Sequence, residues 1–144
     1  MTFLTVRIGS HSFAAVLESE RAPRTAAAFL ARLPFAGQLV QARWSGEAGW
    51  IPLGDYDLGV PSENATSHPT AGQVLWHPPG VSEAELLVPY GQTSFSSKVG
   101  QLAGNHFLTI VDSGEGLAGV GRRLLWEGAQ EISFALAESG PGEN

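Results

Sequence analysis

Alternating apolar and polar residues dominate the first part of the chain. Apolar side chains recur at every second position in Thr2–Ile8 and again in His11–Leu17, which is the period of a β-strand with one buried face. Gly9 and Ser10 separate the two segments, and glycine at the first central position suits the type II′ turn of a two-residue hairpin loop. The pattern therefore predicts an N-terminal β-hairpin.

The apolar period lengthens to three and four residues after this hairpin. Pro23 is well tolerated as a first helical residue, because its missing N–H would have no helical partner there. We therefore predict a helix that begins at Pro23 and stops at Pro34. Its apolar stripe consists of Ala26, Phe29, Leu30 and Leu33.

Glycine and proline break most of the remaining chain into short apolar stretches. Ser45–Gly49 is predicted to be a turn. Gly54–Gly72 has no periodic pattern, and so long a connection is usually functional or mobile, so we expect residues 54–71 to cover part of a site. Strands are predicted at Gln38–Trp44, Trp50–Leu53, Gln73–His77, Ala84–Val88, Phe107–Val111, Leu124–Trp126 and Ile132–Leu136.

A second, short helix is predicted after Asp112. Asp112 and Glu115 have the spacing of a capping box, in which each satisfies a backbone N–H at the start of a helix. Leu117 and Val120 would then face the interior. Three nearby glycines, at positions 114, 116 and 119, weaken this helix.

The length and composition indicate one domain rich in short strands. The 144 residues are enough for a hydrophobic core, and we place a single domain at 1–137 and a flexible tail at 138–144. The chain has 18 glycines and nine prolines but only 15% charged residues, which favours strands and turns over long helices.

Charge and cysteine content narrow the classes of partner. The net charge of −6 is spread along the chain without a basic cluster, so we expect no nucleic-acid partner. No apolar run is long enough for a membrane span, and the first residues lack the features of a signal peptide. The absence of cysteine removes disulfides and thiolate ligands and suits a cytoplasmic location. We expect no cofactor and no metal, because the histidines lack a paired ligand spacing.

Several sequence motifs resemble those of cyclophilins and their relatives. The hairpin at 2–19 followed by Pro23-Arg24-Thr25 and Phe29-Leu30 resembles the start of cyclophilins. GQVLWHPPG at 72–80 resembles a group of bacterial and archaeal cyclophilin-like proteins of unknown function. An uncharacterised bacterial branch of that group is similar at ARWSGEA (42–48), ENATSHP (63–69), YGQTSFSSKVGQLAGNHF (90–107) and LWEGAQ (125–130).

This resemblance implies a fold but not the cyclophilin activity. The implied fold is mainly β, a closed eight-stranded antiparallel cyclophilin-like β-barrel with two short capping helices. In cyclophilins the active-site arginine follows Phe-His, whereas Arg43 follows Gln41-Ala42. Ser94-Phe95 also departs from the Gln-Phe-Phe segment that lines the proline pocket of cyclophilins. We therefore expect no ordinary peptidyl-prolyl isomerase activity.

Two segments carry most of the candidate chemistry. Pro89–Val111 combines polar and aromatic residues between glycines, and Arg43 with Trp44 offers a planar cation beside an apolar wall. We expect them to form a site for a small anionic or amide-bearing molecule, and we assign no catalytic residue. The expected ligand-binding residues are Arg43, Trp44, Tyr90, Gln92, Phe95, Lys98 and His106.

Structural roles for these residues are the alternative. Arg43 could form an ion pair with Glu47 across the turn, with the tryptophans in the core. His106 could be a neutral histidine bonded to a backbone carbonyl at the entrance of a strand. At the level of the whole protein, the alternatives to a binding protein are an enzyme, either a residual prolyl isomerase or a small-molecule isomerase or hydrolase, and a homo-oligomerisation module.

Overall fold

A computed structural model describes residues 1–111 and 116–138 of the chain. The helices are α1 (Pro23–Leu30) and α2 (Gly116–Glu127). The strands are β1 (Phe3–Ile8), β2 (His11–Leu17), β3 (Phe35–Gln41), β4 (Gly46–Gly54), β5 (Ala65–Thr66), β6 (Gln73–His77), β7 (Ala84–Thr93), β8 (Ser96–Ser97), β9 (Gly100–Gln101), β10 (Gly104–Val111) and β11 (Gln130–Leu136).

Eight of these strands form a closed barrel. They are hydrogen-bonded in the order β2-β1-β11-β3-β4-β7-β6-β10, and β10 pairs back with β2. Every neighbouring pair is antiparallel. The prediction of a mainly β protein with a closed eight-stranded antiparallel barrel and two helices is therefore confirmed. No helix within the described ranges is long and apolar enough to cross a membrane.

The N-terminal hairpin and the start of α1 follow the sequence pattern. Strands β1 and β2 pair up to Ile8 and His11, and Gly9 between them adopts a φ of +59°, which glycine tolerates without strain. Helix α1 begins at Pro23 as predicted, and its Phe29 closes the barrel interior. The predicted end at Pro34 is wrong, because α1 ends at Leu30 and the next residues form a tighter turn in which the Leu33 amide bonds to the Leu30 carbonyl. Leu30, predicted for the buried stripe, is 38% exposed. The ring of Phe29 lies 5.0 Å from that of Phe107 and 5.2 Å from that of Phe134, measured between centroids.

Helix α2 differs from the predicted elements at its C-terminal end. The predicted strand Leu124–Trp126 is wrong, because Leu124 continues the helical stripe of Leu117 and Val120 and is buried with them. Trp126 lies on the opposite side of the helix, where 87% of its surface is exposed. The predicted capping pair Asp112 and Glu115 lies outside the described residues, as does the predicted tail beyond residue 138.

The segment between β3 and β4 also differs from the prediction. The predicted strand Gln38–Trp44 is wrong after Gln41, where β3 ends and the chain reverses at residues 42–45. The predicted turn Ser45–Gly49 is wrong from Gly46 onward, because β4 already starts there. Ala48 and Gly49 are buried partners of β7, opposite Pro89 and Val88. Small residues at these positions look like a turn in the sequence, but here they allow close packing of neighbouring elements.

A second, smaller hydrophobic cluster lies on the outer face of the barrel. Alternate residues of a strand point to opposite faces, so Leu86 and Val88 fill the barrel while Leu87 points outward. Residues 94–103 fold over that outer face and bury Phe95 completely. The outer cluster consists of Ala42, Ala48, Leu75, Leu87, Phe95 and Leu102, with Trp50 packed against it.

Candidate functional site

A cavity of about 410 Å³ lies at the edge of the outer cluster, and we call it the outer groove. Its walls come from residues 42–45, 81–83 and 96–99, together with Trp50 and Glu85. Three of the predicted ligand-binding residues, Arg43, Trp44 and Lys98, line it. The two predicted segments of the site therefore meet here, although they are far apart in the sequence.

Ser45 joins two walls of the outer groove. Its hydroxyl donates to the backbone carbonyl of Ser96 at 3.1 Å and accepts from the Ser96 amide at 3.0 Å. The Ser94 amide donates to the Ser45 carbonyl at 2.9 Å. These hydrogen bonds join the turn at 42–45, which carries Arg43, to the segment that carries Lys98.

The cationic side of the groove is free of acidic partners. The guanidinium carbon of Arg43 lies 5.7 Å from the centre of the Trp44 ring, within the range of a cation–π contact. The alternative ion pair between Arg43 and Glu47 is not formed. Glu47 instead accepts a hydrogen bond from the Gln92 amide at 2.8 Å. Among the described residues, neither Arg43 nor Lys98 pairs with a carboxylate.

The opposite side of the groove is acidic and partly desolvated. Glu85 lies on β7 with only 6% of its surface exposed. Its neighbours across the sheet are His77 on β6 and Pro52 on β4. Burial, and next the nearby charge of Glu83, raise the pKa of the Glu85 carboxyl to about 8. Glu83 itself accepts a hydrogen bond from the Gly54 amide at 3.0 Å.

His77 forms a second buried polar group beside Glu85. It is 7% exposed, and no described residue makes a hydrogen bond with its enclosed Nδ1 atom. Its ring packs edge-on against Phe95 at a centroid distance of 5.8 Å. Burial lowers the pKa of His77, and a hydrogen bond with the Glu83 backbone opposes that effect. At pH 7, both Glu85 and His77 are therefore mainly uncharged.

The raised pKa of Glu85 predicts a specific loss of stability with rising pH. The folded protein holds a proton that the unfolded chain releases above about pH 4.5, so the free energy of unfolding falls until the pH passes about 8. Between pH 6.5 and 8 we expect a loss of about 1.5 kcal/mol. The lowered pKa values of His77 and His106 act in the opposite direction, mainly below pH 6.5.

Urea unfolding of the wild type and of Glu85→Gln at several pH values checks this prediction. Glutamine has nearly the shape of a protonated glutamate but does not titrate, so the variant should lack the loss between pH 6.5 and 8. Glu131→Gln, a change at an exposed position on β11, is the matched control and should retain it. Parallel stability curves for the wild type and Glu85→Gln would contradict the prediction.

The other predicted residues near the groove have structural contacts instead of lining it. The Tyr90 hydroxyl donates to Gln41 Oε1 at 2.6 Å, and its ring packs so closely on Gly121 of α2 that a Cβ would not fit there. Burial raises the pKa of Tyr90. Gln92 is exposed and bonds through its backbone to Glu47, while Phe95 is fully buried.

His106 lies at a separate place, beside α1. Its Nε2 atom is 2.7 Å from Thr109 Oγ1, and that hydroxyl donates to Glu18 at 2.5 Å. Burial is the main cause that lowers the pKa of His106, and Glu18 at 3.9 Å acts against it. No group of three potential metal ligands occurs within the described part of the chain.

Residues 61–66 of the segment 54–71 are attached to α1 and β10, whereas Gly54 at its start bonds to Glu83 of the outer groove. Asn105 Nδ2 donates to Thr25 Oγ1 at 3.0 Å and to the Pro61 carbonyl at 2.9 Å. Asn105 Oδ1 accepts from the Glu63 amide at 3.1 Å, and Glu63 Oε1 accepts from both the amide and the hydroxyl of Thr25. No residue of 54–71 lines the outer groove, so the expected cover lies elsewhere.

Sequence reasoning missed Glu85 and Glu83 as residues of the groove. A signal was present, because Glu85 is the one charged residue in the predicted strand Ala84–Val88. A charge inside an apolar strand is expensive to bury and therefore calls for an explanation. A second cavity of about 490 Å³ lies on β1, β3 and β11 between Arg7 and Glu131, but it has no aromatic wall and none of the predicted residues.

The solved structures similar to this chain include two that match it over nearly its whole length. The structure of McbB in complex with tryptophan has a TM-score of 0.69 and 18% sequence identity, and the match covers 98% of this chain. The chain spans only 45% of the McbB chain. A hypothetical protein from Archaeoglobus fulgidus, whose structure was determined in solution, has a TM-score of 0.58 and 25% identity over 94% of this chain and 95% of its own.

The comparison with protein families gives a match over nearly the whole chain. None of the curated proteins matches significantly. The family model described as "Protein of unknown function (DUF3830)" matches residues 4–136, which include the whole barrel from Leu4 onward, both helices and the outer groove. The chain therefore belongs to the DUF3830 family of proteins of unknown function.

Proposed function

We propose that the outer groove binds a small organic molecule with an anionic or amide group. The observation that supports this is the meeting of Arg43, Trp44 and Lys98 on one concave surface, with no carboxylate paired to either cation among the described residues. Small-molecule sites are typically concave, apolar in part and supplied with a few polar groups, and their volumes begin at about 300 Å³. The outer groove fits that description.

Each of the three residues has a distinct role in this proposal. Arg43 presents a planar fork of N–H donors that matches a carboxylate or an amide carbonyl. Trp44 and Trp50 provide flat apolar walls for the body of the ligand. Lys98 adds a second positive charge from the segment 96–99. Phe95 packs in the outer cluster beside the segment that carries Lys98. Tyr90, Gln92 and His106 do not line the outer groove and have no role as ligand contacts in this proposal.

Three further features of the protein stay predictions. These are a specific relationship to cyclophilins without ordinary prolyl isomerase activity, a cytoplasmic location, and association into a homo-oligomer. The exposed side chains of Leu125 and Trp126 on α2 are compatible with association but do not identify a partner. None of the three is needed for ligand binding in the outer groove.

The test is a binding screen with matched arginine variants. The ligand set should contain aromatic and aliphatic carboxylates, amides and amino acids, and we include tryptophan because the McbB structure contains it. Tryptophan fluorescence and calorimetry would measure binding. For a ligand that binds, Arg43→Ala should raise the dissociation constant at least about tenfold, since a hydrogen bond to a charged group contributes about 1.5–3 kcal/mol.

Arg122→Ala is the control, because Arg122 is exposed on α2 and does not line the outer groove. It should leave the dissociation constant unchanged. Two results would contradict the proposal. One is the absence of saturable binding across the whole ligand set. The other is an equal weakening of binding by Arg43→Ala and Arg122→Ala.

A further inference from the structure

We propose that the ligand of the outer groove also carries a basic nitrogen, which binds at Glu85 and displaces a proton from its carboxyl group. The ligand class is then a small zwitterion, with an ammonium group at the acidic side of the groove and a carboxylate at the cationic side. This inference rests on the proposed function, and it adds the class of ligand and a coupling between binding and proton release.

The charges of the groove are separated into two sides. Arg43 and Lys98 come from the connected segments 42–45 and 96–99, whereas Glu83 and Glu85 come from the β6–β7 turn and from β7. Within the described ranges, no arginine or lysine nitrogen lies within 4.0 Å of either of these carboxylates. Cationic and acidic side chains therefore line one cavity without forming an ion pair with each other, which suits a molecule that carries both signs.

The Glu85 carboxyl has no protein partner. No hydrogen bond from a described residue reaches it, and its cross-strand neighbour Pro52 has no N–H to donate. Its other cross-strand neighbour, His77, is mainly uncharged, and Glu83 repels a negative charge there. The fully enclosed side-chain atoms without a partner, among the described residues, are Trp76 Nε1 and His77 Nδ1. The unpaired oxygens of Glu85 are not among them, and Glu85 lines the outer groove, so its carboxyl oxygens are accessible from the groove.

A buried carboxyl without a partner is a costly arrangement that a cationic ligand would relieve. A buried polar group normally has a hydrogen-bond partner, and an isolated carboxylate is more costly still. Because the pKa of Glu85 is about 8, roughly nine in ten molecules hold the proton at pH 7. An ammonium group within a few ångströms would favour the carboxylate form and lower that pKa.

The binding step is balanced in atoms and charge. The ligand ammonium keeps its own proton, the Glu85 carboxyl loses one to solvent, and an ammonium–carboxylate pair forms in the groove. The charge at Glu85 therefore changes from zero to −1, and one proton is released for each ligand bound to a protonated molecule. Trp44 and Trp50, which line the same cavity, can support an aromatic body and a nearby cation.

Three aromatic probes test the contributions of the ammonium group and the carboxylate group separately. L-Phenylalanine carries both groups, phenethylamine carries only the amine, and 3-phenylpropionate carries only the carboxylate. Calorimetry at pH 7.0 in phosphate and in Tris, whose ionisation enthalpies differ, measures the number of protons released. We expect a release of about 0.9 proton per bound ligand for phenylalanine and phenethylamine, which both carry an amine. We expect no proton release for 3-phenylpropionate. We also expect phenylalanine to bind at least tenfold more tightly than either single-charge probe.

Glu85→Gln should abolish proton release and weaken phenylalanine binding at least tenfold. A cooperative urea unfolding transition at pH 6.5 would show that this variant is folded. The control Arg122→Ala should behave like the wild type. If 3-phenylpropionate binds but phenylalanine binds no better and releases no proton, this inference is overturned while the proposed function stands. Absence of saturable binding by all three probes at millimolar concentration also overturns this inference, whereas the wider ligand screen decides the proposed function separately.

Discussion

Phe95→Ala is expected to lower the free energy of unfolding by about 3–5 kcal/mol, the usual cost of removing a fully buried phenylalanine ring. Phe95 has no exposed surface and joins the outer cluster to the segment 94–103. The ring packs against His77 and lies 3.1 Å from the position that a Cβ on Gly104 would occupy. Its loss leaves a cavity, because the hydrogen bonds between the barrel strands hold the backbone in place and prevent the strands from collapsing into the space.

This variant should also weaken the outer groove as a binding site. Ser96, Ser97 and Lys98 follow Phe95 directly and line the groove, so their position depends on the ring below them. Urea unfolding measures the stability, and proteolysis between 94 and 103 reports the loss of local order. Trp126→Ala, at an exposed position of α2, should change stability by no more than about 0.5 kcal/mol. A Phe95→Ala variant as stable as this control would contradict the buried role of Phe95.

Asn105→Ala is expected to destabilise the protein by about 3 kcal/mol, because one buried side chain makes three hydrogen bonds and all three are lost. Those groups are the Thr25 hydroxyl, the Pro61 carbonyl and the Glu63 amide. Thr25 and Glu63 would still bond to each other, so α1 should remain helical. The segment around residues 61–64 should instead separate from β10.

Hydrogen exchange distinguishes this local effect from a general loss of stability. The His106 amide donates to the Asn64 carbonyl at 3.2 Å, so it should exchange faster in the variant than amides in the β1–β2 hairpin. Gln38→Ala, an exposed amide side chain on β3, is the control for the loss of an amide group. If exchange at His106 is unchanged in Asn105→Ala, the role of Asn105 in holding residues 61–64 is wrong.

Local patterns in the sequence were sufficient for the hairpin and for the start of α1. Leu4, Val6 and Ile8 alternate without interruption, and Pro23 coincides with a change of period, so neighbouring residues alone determine these elements. The error at Leu124–Trp126 has a physical reason. Three apolar residues in a row fit a strand or a helix equally well, and the burial of Leu124 against Leu117 and Val120 decides between them.

The groove could be predicted only in part, because residues that are distant in the sequence decide which of its candidate side chains are buried. Arg43, Trp44 and Lys98 stood out because cationic and aromatic residues are unusual among glycine-rich turns. Phe95 stood out for the same reason but is buried, because the outer face of β7 is covered by a segment that has no strand pattern of its own. Glu85 was missed because its environment is made by His77, Pro52 and Glu83, none of which is its neighbour on the strand.

The position of β11 in the barrel has a consequence for synthesis on the ribosome. In the described chain it is the last strand, yet it lies between β1 and β3, where Leu4 pairs with Leu136 and Gly37 with Ile132. Until Gln130–Leu136 emerges from the ribosome, the nascent chain presents two unpaired strand edges, which are sites of aggregation in other proteins. Translation that stops before Gln130 would therefore yield an open sheet that needs chaperone protection, and not a smaller barrel.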